Sequence, residues 1–228
     1  MVIRIGLAML QGARHEHAQA LYNAATELKL EIEVIPLRSE EDLLGVKIDG
    51  IVLPGGESTT MRKASKNHGL LSSIFDFMDK NSKLPVLGTC AGAILLLNPL
   101  MDREPYIEAN VNRNAFGRQK ESFQSILKLS GIEIPSIINQ GSSEKTVVEA
   151  NHLPLLVEEL VEIKSQEEFQ GIFIRAPRFE KITPNVKKVA FYNDEAVGLM
   201  QGNKLALSFH PELTTDYRFH RWLLSKAK

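Results

Sequence analysis

The chain has 228 residues, 43% of them hydrophobic and 24% charged, the profile of one globular domain whose core needs neither a disulfide nor a metal for stability. A net charge of -1 at pH 7 gives no global attraction to nucleic acid or to an anionic membrane surface. The lone cysteine, Cys90, excludes an intramolecular disulfide and points to a reducing, cytoplasmic setting.

The opening stretch, MVIRIGLAML, is interrupted by Arg4 and turns polar without a clean cleavage site, so no secretory signal is expected. Residues 2–9 form a short apolar run expected as a buried strand. Residues 15–30 carry Ala18, Leu21, Ala25 and Leu28 at the spacing of a helix face. A second strand is expected over 31–36, and a short helix over 39–44 with Ser39 as its cap and Asp42 three residues on. A third strand over 49–54 ends in glycine. Helices are expected around 59–67 and over 70–80, a fourth strand over 84–89 and a helix over 91–97. Residues 84–101 carry no charge, yet Pro85, Gly88, Thr89, Gly92, Asn98 and Pro99 within them fit a buried strand, a sharp turn and a buried helix better than a membrane span. This alternation predicts an α/β fold, a single-domain three-layer sandwich with a mostly parallel central sheet flanked by helices.

The second half reads differently. Short strands are expected at 147–149, 171–175, 186–192, 196–201 and 204–209, with turns at Asn193-Asp194 and Gly202-Asn203 between the last three. Antiparallel strands are therefore expected in the C-terminal half of the sheet, followed by a closing helix over 214–227. The chain reads as one domain, 1–228, whose likeliest loop insertion by composition is 131–143.

Three segments carry chemistry. In Gly88-Thr89-Cys90-Ala91-Gly92, a strand runs in, small residues flank one thiol and a helix runs out. That is the logic of a nucleophile elbow, with the Ala91 N–H placed as an oxyanion donor. The helix N-terminus favours a thiolate, although a lone free cysteine is also commonly a plain core residue. In Ser208-Phe209-His210-Pro211-Glu212, His210 and Glu212 are two apart in a segment expected to be extended, so both side chains lie on one side. A cysteine nucleophile needs a base, and the base needs a partner that orients it. In Leu53-Pro54-Gly55-Gly56-Glu57-Ser58-Thr59, paired glycines let backbone approach a ligand and Ser58 is expected to cap the next helix. All three segments follow strands, and the carboxyl ends of strands in a parallel sheet are where ligands bind.

Together GGEST, GTCAG and SFHPE resemble a class I glutamine amidotransferase with a Cys–His–Glu triad. More narrowly, the chain resembles the glutaminase subunit of pyridoxal 5′-phosphate synthase. Leu10-Gln11-Gly12 with Glu16-His17, PGGESTTM from Pro54, RNAFGRQ from Arg113, IRAP from Ile174 and FHPEL from Phe209 follow that family's order across most of the chain, whereas the segment 130–166 has no counterpart in that family, which implies an insertion there. The resemblance implies that Cys90 attacks the glutamine carboxamide, that His210 moves the proton and that Glu212 orients His210. It implies that Gly56, Glu57, Ser58, Arg113, Ile174 and Arg175 bind the substrate, and that Gly56 and Ala91 form the oxyanion hole. The remaining histidines are expected to be non-catalytic, His17 being structural or at an interface. The expected partners are L-glutamine and a (β/α)8 synthase subunit that receives ammonia to make pyridoxal 5′-phosphate. No cofactor, metal, nucleic acid or membrane is expected. The alternatives are a glutaminase serving another synthase, a related cysteine hydrolase, and a non-catalytic regulatory subunit.

Overall fold

The structure, a computed structural model, describes residues 2–66, 68–100, 103–113, 122–138 and 165–228. The expected strand at 147–149 and most of the expected 130–166 insertion lie outside these residues.

The first half alternates strand and helix as expected. β1 (Ile3–Ala8) is followed by α1 (Arg14–Leu28), β2 (Ile32–Leu37), a one-turn 3₁₀ helix (Glu40–Leu43), β3 (Gly50–Leu53), α2 (Ser58–Lys66), α3 (Leu70–Lys80), β4 (Val86–Thr89) and α4 (Ala91–Leu97). Ser39 and Asp42 form the reciprocal capping box of the 3₁₀ turn. The second half supplies β5 (Asn110–Asn112), β6 (Ser122–Leu129), β7 (Glu168–Ile174), β8 (Arg178–Glu180), β9 (Lys187–Tyr192), β10 (Glu195–Gln201), β11 (Lys204–Leu207) and α5 (Arg218–Lys226).

One nine-stranded sheet runs β2-β1-β3-β4-β11-β10-β9-β6-β7, and β5 and β8 pair separately. From β2 to β11 every pairing is parallel, and from β11 to β7 every pairing is antiparallel. The two expected turns join β9 to β10 and β10 to β11, with Asn193 and Gly202 at φ 51° and 55°, the left-handed geometry that tight hairpins require. Consecutive strand residues feed opposite faces: Ile51 and Leu53 enter one apolar core with Met61, Ile74, Phe75 and Leu95 of α2, α3 and α4, while Val52 enters the other with Leu21 of α1 and Trp222 of α5. Among the described residues no helix is long and apolar enough to cross a membrane.

Three differences have local causes. β5, β6 and β8 have no counterpart in the sequence expectations. β6 buries only Leu127 and Leu129 fully, so its alternation is weak. The closing helix begins at Arg218, four residues late, because the Thr214 hydroxyl and the Asp216 carboxylate tie residues 211–218 into local turns that compete with helix. On α1 the buried stripe is His17, Ala20, Leu21, Ala24, Ala25 and Leu28, while Ala18 is half-buried, so the helix is rotated to carry a histidine into the core.

Candidate active site

Parallel strands β3, β4 and β11 lie side by side, and each ends in one of the three chemistry-bearing segments. The Cys90 N–H donates to Leu207 O at 2.8 Å, tying the elbow to the end of β11. Cys90 has φ 48° and ψ -104°, a region costing of order 1–3 kcal/mol for a residue with a side chain, which is the strained strand-to-helix turn expected of a nucleophile elbow. Small residues around it are compulsory. A Cβ on Gly92 would stand 1.8 Å from Leu53 O, so α4 packs on β3 backbone to backbone.

His210 follows β11. Its Nδ1 lies 2.7 Å from Glu212 Oε1, which requires an Nδ1–H tautomer because the carboxylate can only accept. The segment is not extended as expected. Glu212 sits in a 3₁₀ turn, Pro211–Leu213, opened by the proline, and this turn rather than strand alternation brings the two side chains together. His210 and Glu212 are 6% and 5% exposed and Cys90 is 6%, so the cluster is nearly dry and charges in it interact strongly. The edge strand β7 curls back to cover it: Ile172 O accepts from the His210 N–H at 2.8 Å, and Ile174 O lies 3.8 Å from the Cys90 thiol that donates to it.

The loops after β1 and β3 close the other side. Gly12 and Gly55 touch so closely that a Cβ on Gly12 would meet Gly55 O at 2.0 Å, and Gly55 in turn lies against the His210 ring and the Cys90 Cβ. Gly56 is at φ 135°, and the Glu57 N–H donates to the Gln11 side-chain oxygen at 3.0 Å. The cap of α2 is Glu57 rather than Ser58. Its carboxylate accepts from the N–H groups of Thr59 and Thr60 and from the Thr60 hydroxyl, and Thr60 foremost holds its pKa down to about 2. With its side chain so engaged, its N–H on Gln11 and its carbonyl accepting from the Met61 N–H at 2.9 Å, Glu57 is committed to the start of α2. Exposed Arg175 follows Ile174 directly at φ 46°. Arg113 stands apart: it lines a groove with Leu97–Pro99 and Glu180 at the far end of α4 from Cys90, near enough to Arg62 for the two guanidinium groups to repel.

Sequence reasoning missed the groups behind Glu212. His17 is fully buried, with Nε2 3.1 Å from Thr89 Oγ1 and 3.3 Å from Glu212 Oε2, and with Nδ1 3.0 Å from His220 Nε2. The available signal was a histidine on the stripe that α1 buries, and another between Phe219 and Trp222 of α5.

Burial works against the His210 cation, but Glu212, Cys90 and the Glu212 hydrogen bond outweigh it and raise its pKa to about 10. Burial works against the Glu212 anion too, but the His17 and His210 rings hold it at about 2. Burial lowers His17, and lowers His220 to about 3. His17 is thus neutral near pH 7, and the cation that pairs with Glu212 is His210.

These shifts set a pH dependence of stability. Below the unfolded histidine value near 6.5 the unfolded chain binds protons at His17 and His220 that the folded chain refuses, so stability rises with pH up to that point. Above it the folded chain keeps the His210 proton that the unfolded chain has lost, so this contribution, whole below 6.5, declines as pH rises toward 10. Lys204, lowered chiefly by burial to about 8, acts oppositely from about pH 8 upward. The melting temperature is therefore expected to rise from about pH 5 to about 6.5, by at most about 1.4 kcal/mol per pH unit for each proton. A melting temperature flat or falling over that range would contradict the neutral, buried state of His17 and His220.

The profile of the SNO glutamine amidotransferase family matches residues 7–155 and 155–228. Curated relatives include the pyridoxal 5′-phosphate synthase subunit PdxT of Thermococcus onnurineus, 37% identical over 99% of this chain and 100% of that protein. The protein of the same name from Oenococcus oeni is 35% identical over 100% and 98%. A solved structure described as a glutamine amidotransferase superposes with a TM-score of 0.70 at 35% identity, over 98% of each chain. A glutamine amidotransferase from Thermotoga maritima shares the fold, with a TM-score of 0.55 at 14% identity over 98% of this chain and 81% of that one. With the elbow cysteine, the His–Glu pair and the glycine loop gathered on adjacent strand ends, the chain belongs to the SNO glutamine amidotransferase family.

Proposed function

We propose that the protein is a glutaminase that converts L-glutamine to L-glutamate and ammonia through a Cys90 thioester. It supplies the ammonia to the (β/α)8 synthase protein that makes pyridoxal 5′-phosphate in the cytoplasm. The observation that carries the reading is the 2.7 Å His210–Glu212 pair standing beside the strained Cys90 elbow in a nearly dry cluster.

In the proposed reaction the proton shared between Cys90 and His210 rests on the imidazole, which Glu212 stabilises as a cation. The thiolate attacks the carboxamide carbon. The developing oxyanion is received by the N–H groups of Ala91, left without a partner by its own helix, and of Gly56. His210 gives its proton to the amide nitrogen, the C–N bond breaks, and ammonia leaves a thioester. Neutral His210 then takes a proton from water, the hydroxide attacks the thioester carbon, the C–S bond breaks and glutamate departs, restoring the thiolate–imidazolium pair. The Gly56-Glu57-Ser58 segment and the Ile174-Arg175 edge flank the thiol and are proposed to hold the substrate. Arg113 and Arg175 provide guanidinium forks suited to its α-carboxylate, Arg113 only once it moves from its groove beside α4.

The test is ammonia release from glutamine with and without the cognate synthase. Turnover that rises strongly with that partner is expected. Turnover indifferent to it would retain the glutaminase and remove the pathway, and no turnover by a chain shown to bind the partner would indicate a regulatory role only.

A further inference from the structure

Glu212 is an anion with two oxygens in a nearly dry site, and His210 serves only one of them. Oε2 is buried and has no aligned hydrogen-bond donor among the described residues. What faces it is His17 Nε2, 3.3 Å away, on a ring that is wholly buried. A buried carboxylate oxygen left against a lone pair would be severely penalised, so the tautomer of His17 matters.

Only one assignment satisfies the cluster. If Nδ1 of His17 carried the proton, His220 Nε2 would have to accept it. His220 Nδ1, which has no partner among the described residues, would then be an orphaned N–H, and the bare Nε2 of His17 would face Glu212 Oε2. With the proton on Nε2, His220 Nε2–H donates to His17 Nδ1 at 3.0 Å. The Nε2–H then lies between Thr89 Oγ1, on which it is aligned at 3.1 Å, and Glu212 Oε2. What this leaves orphaned is a lone pair on His220, the cheaper kind. Every group around His17 fits this pattern: Glu212 from the 3₁₀ turn, His210 beyond it, His220 from α5, Thr89 from β4 and the more distant Glu16 from its own helix.

We propose that His17 is a positioning residue for the reaction, a neutral ring whose N–H, aligned on Thr89 and 3.3 Å from the second oxygen of Glu212, holds that oxygen by its dipole and through it the orientation of His210, with His220 setting its tautomer and Thr89 tying it to the strand that delivers Cys90. The proposal rests on the glutaminase reading above. It assigns α1 a place in the active-site machinery, because the His17 ring joins the turn bearing the base to the strand bearing the nucleophile.

The test compares His17→Met and His17→Gln in the complete protein with its synthase partner, using glutamine as the probe substrate. The side chains are of similar volume, but only glutamine offers an N–H. His17→Met is expected to lower kcat about 10–100-fold with KM for glutamine within about twofold, because His17 does not reach the substrate. His17→Gln should recover most of that loss. A role in packing alone would give equal kcat for the two variants or a loss that tracks the folded fraction by circular dichroism, and either result would overturn the proposal. If His17→Met does not fold, His220→Leu carries the same test, with the same kcat loss at unchanged KM expected and an unaltered kcat overturning it. A native chain without turnover would remove the glutaminase reading and this inference together, whereas an active native chain with indifferent variants would remove the inference alone.

Discussion

Replacing Cys90 by alanine is expected to lower ammonia release from glutamine by at least about 10⁴-fold, the scale of losing a covalent nucleophile, while the fold survives. The side chain lost is one sulfur atom with a long contact of 3.8 Å to Ile174 O and a hydrogen bond to the His210 ring, so little packing goes with it. The backbone is the more telling part. Alanine at φ 48°, ψ -104° carries the same strain as cysteine, so Cys90→Ala should stay within about 1 kcal/mol of the native chain. Cys90→Gly, which relaxes that strain, should be more stable than Cys90→Ala by about 1 kcal/mol. Urea unfolding of the three forms beside an ammonia assay separates the effects. Turnover surviving in Cys90→Ala would remove the thiol from the mechanism, and a glycine form no more stable than the alanine form would mean that the elbow is not strained.

How much of this was legible in the sequence depends on how local the determinant is. The strands β1 to β4 and the helices between them followed from apolar runs and helical spacing, since each element buries a face set by its own residues. Cys90 and His210 were legible because each stands just after an apolar strand, and parallel order then puts β4 beside β11. What stayed hidden depended on contacts distant in sequence or on turn chemistry. Pro211 opens a 3₁₀ turn that alternation cannot reveal. The curl that carries the β7 carbonyls over the His210 backbone and the Cys90 thiol is a property of the whole sheet. His17 and His220 are 203 residues apart, and nothing in either local pattern says that they meet behind Glu212. Arg113 was expected in the pocket from resemblance alone, and its described surroundings are the groove beside the end of α4.

Gly55→Ala is expected to disable the site through the base rather than the nucleophile. Gly55 is not at a positive φ, so alanine meets no backbone objection there. Its Cβ would, however, stand 2.5 Å from His210 Cε1 and 3.2 Å from His210 Nδ1, and 3.5 Å from the Cys90 Cβ. The imidazole can retreat only by disturbing its 2.7 Å bond to Glu212 or by pressing into the buried His17 cluster. A displacement of about 1 Å in a catalytic group costs on the order of 10²-fold in rate, so kcat should fall by roughly 10²–10³-fold, with overpacking costing about 1–3 kcal/mol of stability. Gly45→Ala is the control. That glycine is at φ +70° with nothing within 4 Å of its added Cβ, so it should lose about 1 kcal/mol to backbone strain and keep full turnover. Equal activity in the two variants would mean that the glycine loop does not set the position of His210, and that the close packing around Gly55 serves the fold rather than the reaction.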